Sequence, residues 1–290
     1  MPQIEYIAPP SVDDAVRALL SAPAARPLAG GTDLIVQMRS GRVSPGVVVD
    51  LKRIPGAIGV RRLDDGAFAI GAATPGAMLG EHAALRREWP GVVEAANLIG
   101  STQIQGRASI GGNLCNASPA ADSVPALIAA RATCIIVGPD GRRETPVEAI
   151  QAGPGSTTLK AGEFILELRV PPRPARASDA YLRLIPRTEM DIAVVGAGVS
   201  LALGPDGRVA EAHVGLGAVA PRTLLVTAAG EALVGSRLDE PALEALSAAA
   251  RAAANPISDK RGTALYRTKI AGVLARRAAL IAYTRAGARA

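Results

Sequence analysis

Apolar and polar positions along this 290-residue chain change period several times, and each change marks an element. After Ser11, Val12, Ala15 and Leu19 fall on one helical face and Asp13 and Asp14 in the first turn, which predicts a capped helix. Arg26-Pro-Leu-Ala predicts a short strand, and Thr32 or Asp33 can cap a helix running to about Arg39 and closed by Gly41. Val47-Val-Val-Asp50-Leu51 predicts a buried strand, followed by a break at Ile54-Pro-Gly. Asp65-Gly66 predicts a hairpin turn within residues 61–70. Thr74 followed by Pro75 reads as an N-cap and a first-turn proline, opening helical segments that reach Leu98.

Further along, residues 124–130 predict a helix and residues 133–137 a strand, with a hairpin turn at Asp140-Gly141 and a loop at residues 153–156. Residues 164–170 alternate like a half-buried strand. Pro171-Pro-Arg-Pro174 can continue neither a helix nor a central strand, so it marks a boundary. Beyond it, residues 192–203 and 208–217 flank Asp206-Gly207 as a hairpin, and residues 240–253 and 263–285 are alanine-rich helices. The expected fold class is α+β: a first part to about residue 175, split near residue 57, and a smaller α+β domain over residues 176–290.

Composition narrows the function classes. With 49% apolar and 20% charged residues the chain is not disordered, and with 2% aromatics it packs small aliphatics and lacks platforms for stacking single-stranded bases. The net charge of +6 is dispersed and accompanies no recognition motif, which argues against nucleic acid and leaves an anionic cofactor or an acidic subunit as partner. Cys115, Cys134, His82 and His213 stand too far apart for an expected zinc or iron–sulfur site, and the cysteines read as buried free thiols in a reducing compartment. The N-terminus does not resemble an export signal, and the apolar run at residues 192–204 is too short to span a bilayer, so a cytoplasmic location is expected.

The densest candidate chemistry lies in residues 108–122, Ala-Ser-Ile-Gly-Gly-Asn-Leu-Cys-Asn-Ala-Ser-Pro-Ala-Ala-Asp. Adjacent glycines admit a ligand close to the backbone, asparagines tolerate left-handed geometry, and successive N–H groups in such a turn form an anion nest. A second site of this kind is Ala29-Gly30-Gly31-Thr32-Asp33, where a strand runs through a glycine turn into a helix start. No Walker lysine follows it. Gly196-Ala-Gly198 and Gly215-Leu-Gly217 imitate a dinucleotide fingerprint, but each belongs to a hairpin and not to a βαβ unit, so neither is read as a cofactor site.

These two loops, with Asp191-Ile-Ala193 behind Arg187, Ser258-Asp-Lys-Arg-Gly262 and Tyr266-Arg267, resemble the FAD-binding medium subunit of the molybdenum hydroxylases, essentially end to end. That family covers xanthine dehydrogenases, aerobic carbon monoxide dehydrogenases and hydroxybenzoyl-CoA reductases. The resemblance implies a two-subdomain FAD domain of the vanillyl-alcohol-oxidase (PCMH) type, followed by a carbon monoxide dehydrogenase-type C-terminal domain. It implies that Ala29, Gly30, Gly31, Thr32, Asp33 and Leu34, with Ser109, Ile110, Gly111, Gly112 and Asn113, hold the pyrophosphate, and that Asn116 also contacts the cofactor. It further implies that Asp122 bonds a sugar or ribityl hydroxyl, that Ile165 and Leu166 line a ring, and that Arg183 stands where many relatives carry lysine. The four-cysteine insertion of the hydroxybenzoyl-CoA reductases has no match here, so FAD is the expected sole redox centre.

The function implied is electron transfer. A large molybdenum-cofactor subunit would oxidise substrate, a small subunit with [2Fe-2S] clusters would pass electrons to FAD, and NAD+ or dioxygen would receive them, in a dimer of heterotrimers. No Ser/His/Asp set, carboxylate pair or activated cysteine is evident in the sequence. The alternatives are a free-standing flavin oxidoreductase with its own substrate, or a module that kept the fold without the cofactor.

Overall fold

The computed structural model describes residues 4–288; Met1 to Gln3, part of the stretch read as carrying no export signal, lie outside the described residues. The first sheet is parallel, with β1 (Glu5–Ile7), β2 (Arg26–Leu28) and β3 (Val47–Asp50) in the order β1-β3-β2. Parallel neighbours need crossovers, and α1 (Val12–Leu20) and α2 (Leu34–Arg39) lie in the two connections. Ser11 caps α1 by accepting the Asp14 N–H at 3.2 Å, and Ala15, Val16, Ala18 and Leu19 face the core beside β3. Neither Thr32 nor Asp33 caps α2 through its side chain, and α2 buries none of its residues.

The second sheet is antiparallel. Its strands β4 (Val60–Arg62), β5 (Phe68–Gly71), β6 (Thr133–Gly138), β7 (Gly141–Pro146) and β10 (Phe164–Val170) take the order β4-β5-β10-β6-β7, and a small ladder of β8 (Gln151–Gly153) and β9 (Ser156–Thr157) precedes the last of them. The central strand β10 is buried along almost its whole length, against the half-buried expectation. Phe164 and Leu166 enter the core under α1, whereas Ile165, Leu168 and Val170 enter a second core on the opposite face. A bulge between Ile165 and Glu167 marks this change. Glu167 is 2% exposed because Arg61 (2.5 Å) and Arg142 (2.8 Å) cover it.

That second core lies beneath α3 (Gly76–Glu81), α4 (Ala83–Glu88), α5 (Pro90–Ala96), α6 (Thr102–Gln105), α7 (Ile110–Cys115) and α8 (Ser123–Ala129). Thr74 does not cap α3. Its hydroxyl is buried and pairs instead with the Gly59 N–H (2.9 Å) and carbonyl (3.1 Å).

The third sheet is antiparallel, β11 (Ala177–Leu184), β12 (Val195–Leu203), β13 (Val209–Gly217) and β14 (Leu224–Leu225) in chain order. After α9 (Thr227–Glu231), the helices α10 (Glu240–Ala253) and α11 (Ala264–Gly287) cover one face through Val199, Leu201, Leu246 and Leu274. α8 presses on the other face. An ideal Cβ on Gly198 would lie 2.6 Å from the Pro125 carbonyl oxygen, and one on Gly215 2.2 Å from it. The glycines that imitate a dinucleotide fingerprint therefore make room for a helix. β11 has no counterpart among the expected strands, because Ser178, Asp179 and Arg183 interrupt its apolar pattern.

Candidate functional site

The two glycine loops meet. Gly30 lies so close to the Arg107 carbonyl that a Cβ would fall 1.9 Å from its oxygen, and Gly31 adopts a φ of 80°. Gly111 likewise touches the Ala72 carbonyl, where a Cβ would sit at 2.4 Å. These glycines are required by the protein's own packing. Gly112 differs: a Cβ there would meet only the Ser109 hydroxyl at 3.1 Å and the Ala29 Cβ at 4.0 Å. Its bareness keeps a cradle open between the loops.

The donors divide unequally. Among the described residues, the backbone N–H groups of Gly30 to Leu34 donate to no acceptor of the chain. In the second loop Ser109 accepts the Gly112 N–H at 3.1 Å, and its carbonyl accepts the Asn113 N–H at 2.9 Å. Two of the expected phosphate donors are thus engaged in α7. Both α2 and α7 are six residues long, so any anion is held by individual N–H groups and not by a long helix dipole.

The asparagines tie the loops together. Asn116 accepts from Gln37 on α2 at 2.9 Å, and the Asn113 side chain accepts the Ser123 N–H (3.1 Å) and hydroxyl (2.8 Å), fixing the start of α8. Immediately before that start stands Asp122, buried, with Arg183 at 2.9 Å and the Tyr181 hydroxyl at 3.3 Å. Burial pushes its carboxyl up to about 6 against the pull of Arg183. Ile165 and Leu166 are both core residues, turned to opposite faces of β10.

Two contributors carried no sequence signal. Tyr181 lies in the unanticipated strand β11, and Lys52, just beyond β3, donates to the Ala29 carbonyl at 2.9 Å. The other motifs also converge: Arg261 reaches Asp191 at 3.2 Å, and Arg267 binds Asp259 at 2.7 Å and the Val194 carbonyl at 2.8 Å. The histidines serve elsewhere, since His82 caps α4 and His213 pairs with Glu211. Of the two thiols read as buried, Cys134 is buried and Cys115 is half-buried; desolvation pushes the Cys115 thiol up to about 12, which disfavours the thiolate. Among the described residues no cluster suits a metal ion, and no helix is long and apolar enough to cross a membrane.

Residues 2–173 match the family described as the FAD binding domain in molybdopterin dehydrogenase, and residues 180–282 match the CO dehydrogenase flavoprotein C-terminal domain. The carbon monoxide dehydrogenase medium chain of Afipia carboxidovorans is 36% identical over 288 residues, 97% of each chain. The xanthine dehydrogenase FAD-binding subunit of Escherichia coli O157:H7 is 30% identical, over 81% of this chain and 80% of its own. A chain in the structure of reconstituted CO dehydrogenase from Oligotropha carboxidovorans superposes with a TM-score of 0.93 at 36% identity, over 98% of this chain and 99% of that one. Two contiguous family matches and end-to-end likeness in sequence and fold agree: the chain belongs to the FAD-binding medium subunits of the molybdopterin dehydrogenases.

Proposed function

We propose that the chain is the electron-transfer flavoprotein of a molybdenum-containing hydroxylase or dehydrogenase. It would take electrons from [2Fe-2S] clusters on a small subunit and deliver them to an acceptor such as NAD+ or dioxygen. A large subunit would carry the molybdenum cofactor, with two heterotrimers paired, in the cytoplasm. The observation that supports this most is the cradle: five consecutive N–H groups from Gly30 to Leu34 without an acceptor in the described chain, beside a second loop whose Gly112 carries no side chain.

The residues fit FAD. The N–H groups of the first loop would take the pyrophosphate oxygens, Gly112 would let them approach, and Asp122 would accept a sugar or ribityl hydroxyl beside them. Arg183 and Tyr181 hold that carboxyl in place. In this reading Ile165 and Leu166 shape the site from within the core and do not line a ring directly. Bound FAD supplies one-electron exchange, and the chain supplies binding and shielding. A free-standing flavin oxidoreductase would need a base at the flavin, and both histidines are engaged elsewhere.

Gently purified protein is expected to be yellow and to release FAD, and to bring down a large molybdenum-containing chain and a small cluster-bearing chain. Gly112→Val puts a side chain into the cradle, where its Cβ presses no backbone but only the Ser109 hydroxyl at 3.1 Å. FAD affinity is therefore expected to fall by about a hundredfold or more, roughly 3 kcal/mol, in a variant whose unfolding midpoint is measured alongside. A colourless preparation, or a valine variant with undiminished affinity, argues against the reading.

A further inference from the structure

Resting on the FAD reading of the first glycine loop, we propose that Lys52 is a positioning residue: it holds the Ala29 carbonyl from behind and so turns the Gly30 N–H toward the phosphates. The carbonyl and N–H of a trans peptide point in opposite directions, so fixing one aims the other. The Lys52 ammonium donates to the Ala29 oxygen at 2.9 Å. Among the described residues, the Gly30 N–H across that peptide donates to nothing. Gly30 is also pressed against the Arg107 carbonyl, so the peptide is gripped at its oxygen and at its Cα.

Lys52 is itself fixed. Its ammonium binds Asp50 Oδ1 at 2.6 Å, and its backbone N–H donates to the same oxygen at 3.0 Å. The Tyr6 hydroxyl donates to Asp50 Oδ2 at 2.5 Å. Asp50 is 6% exposed. Burial pushes its carboxyl up, but the hydrogen bonds from Lys52 and Tyr6 outweigh burial and hold it below the ordinary range. One buried carboxylate thus connects the ends of β1 and β3 to the loop after β2. Because Asp50 balances the charge of Lys52, the lysine acts through geometry more than through net attraction for phosphate.

The test measures FAD dissociation constants and unfolding midpoints of the flavin-free full-length chain. Lys52→Met removes the donor and is expected to weaken FAD binding about tenfold or more, as loss of a charge-assisted hydrogen bond would. Lys52→Arg keeps a donor and a charge and is expected to stay within about threefold of the parent. Asp50→Asn combined with Lys52→Met removes the charge left behind on Asp50, and affinity is expected to remain low. Parental affinity in Lys52→Met overturns the proposal. So does recovery in the double variant, which would make the effect electrostatic, or equal loss in Lys52→Met and Lys52→Arg. A parent chain that does not bind FAD fails the functional reading itself, a different result from any of these.

Discussion

At the scale of single residues, Asp122 shows how burial and an ion pair compete at one carboxyl. Burial is the larger influence and raises its pKa to about 6; Arg183 and Tyr181 oppose the rise without cancelling it. A carboxyl with a raised folded value binds its proton more tightly folded than unfolded. Its contribution to stability is therefore greatest below about pH 4 and declines as pH climbs through 6. Other carboxylates, such as Asp50 and Glu163, are lowered by their partners and change stability in the opposite sense at lower pH. Comparing parent with Asp122→Asn at each pH cancels them. The parent's advantage over the variant is expected to shrink by about 2 kcal/mol from pH 4 to 7 in denaturant titrations. An advantage that grows with pH would mean that Arg183 dominates. The two glycine loops were legible as a pair because adjacent glycines at a helix start stand out in sequence; that Gly30 and Gly111 are needed to clear the Arg107 and Ala72 carbonyls was not. Lys52 and Tyr181 were not, because each acts on a residue far away in sequence and neither lies in a motif.

At the scale of elements, the pressure of α8 on the third sheet decides several glycines. A Cβ at Gly215 would stand 2.2 Å from the Pro125 carbonyl oxygen, which is backbone and cannot rotate aside. Gly215→Ala is expected to cost about 2–3 kcal/mol in chemical denaturation, as overpacking does, and to displace the start of α8 where Asp122 stands. Gly46→Ala, with nothing within 4 Å, is the control and is expected to change stability by less than about 0.5 kcal/mol. Equal behaviour of the two would remove this explanation. Most elements were legible from period and turns: α1, α10, α11 and the hairpins lie within a few residues of their expected places. The sequence of β10 reads as half-buried because Glu167 and Arg169 look like solvent positions. Three arginines instead crowd around Glu167: Arg61, Arg142 and, at 3.6 Å, Arg169. Thr74 misled in the same way, since its hydroxyl found the Gly59 backbone before a helix end could use it.

At the scale of the molecule, the proline run that marks a boundary is no loose tether. Arg173 within it lies over the Trp89 ring at 3.4 Å, donates to the Glu88 carbonyl at 2.7 Å and pairs with Asp179 of β11 at 2.7 Å. Asp179 in turn accepts the Val92 N–H at 3.1 Å, so it caps α5, whose own N-cap residue, Trp89, offers no side-chain bond. Glu94 on α5 answers by accepting the Tyr181 N–H at 3.2 Å and pairing with Arg285 of α11 at 2.5 Å. A helix of the first part is therefore completed by a strand of the second, and the two parts should unfold together. Arg173 and Asp179 are both nearly sealed from water, with side chains 5% and 3% exposed. Removing one partner leaves the other's charge buried, which typically costs about 3–5 kcal/mol, whereas removing both leaves no bare charge. Asp179→Ala is accordingly expected to lose about 4 kcal/mol, including the helix cap, and to split thermal unfolding into two transitions. Arg173→Met with Asp179→Ala is expected to recover part of the loss, because methionine keeps an apolar stem against Trp89 and leaves nothing charged to bury. Additive losses in that cycle, or a single transition in Asp179→Ala at the parent's midpoint, would show that the seam is held by apolar packing alone.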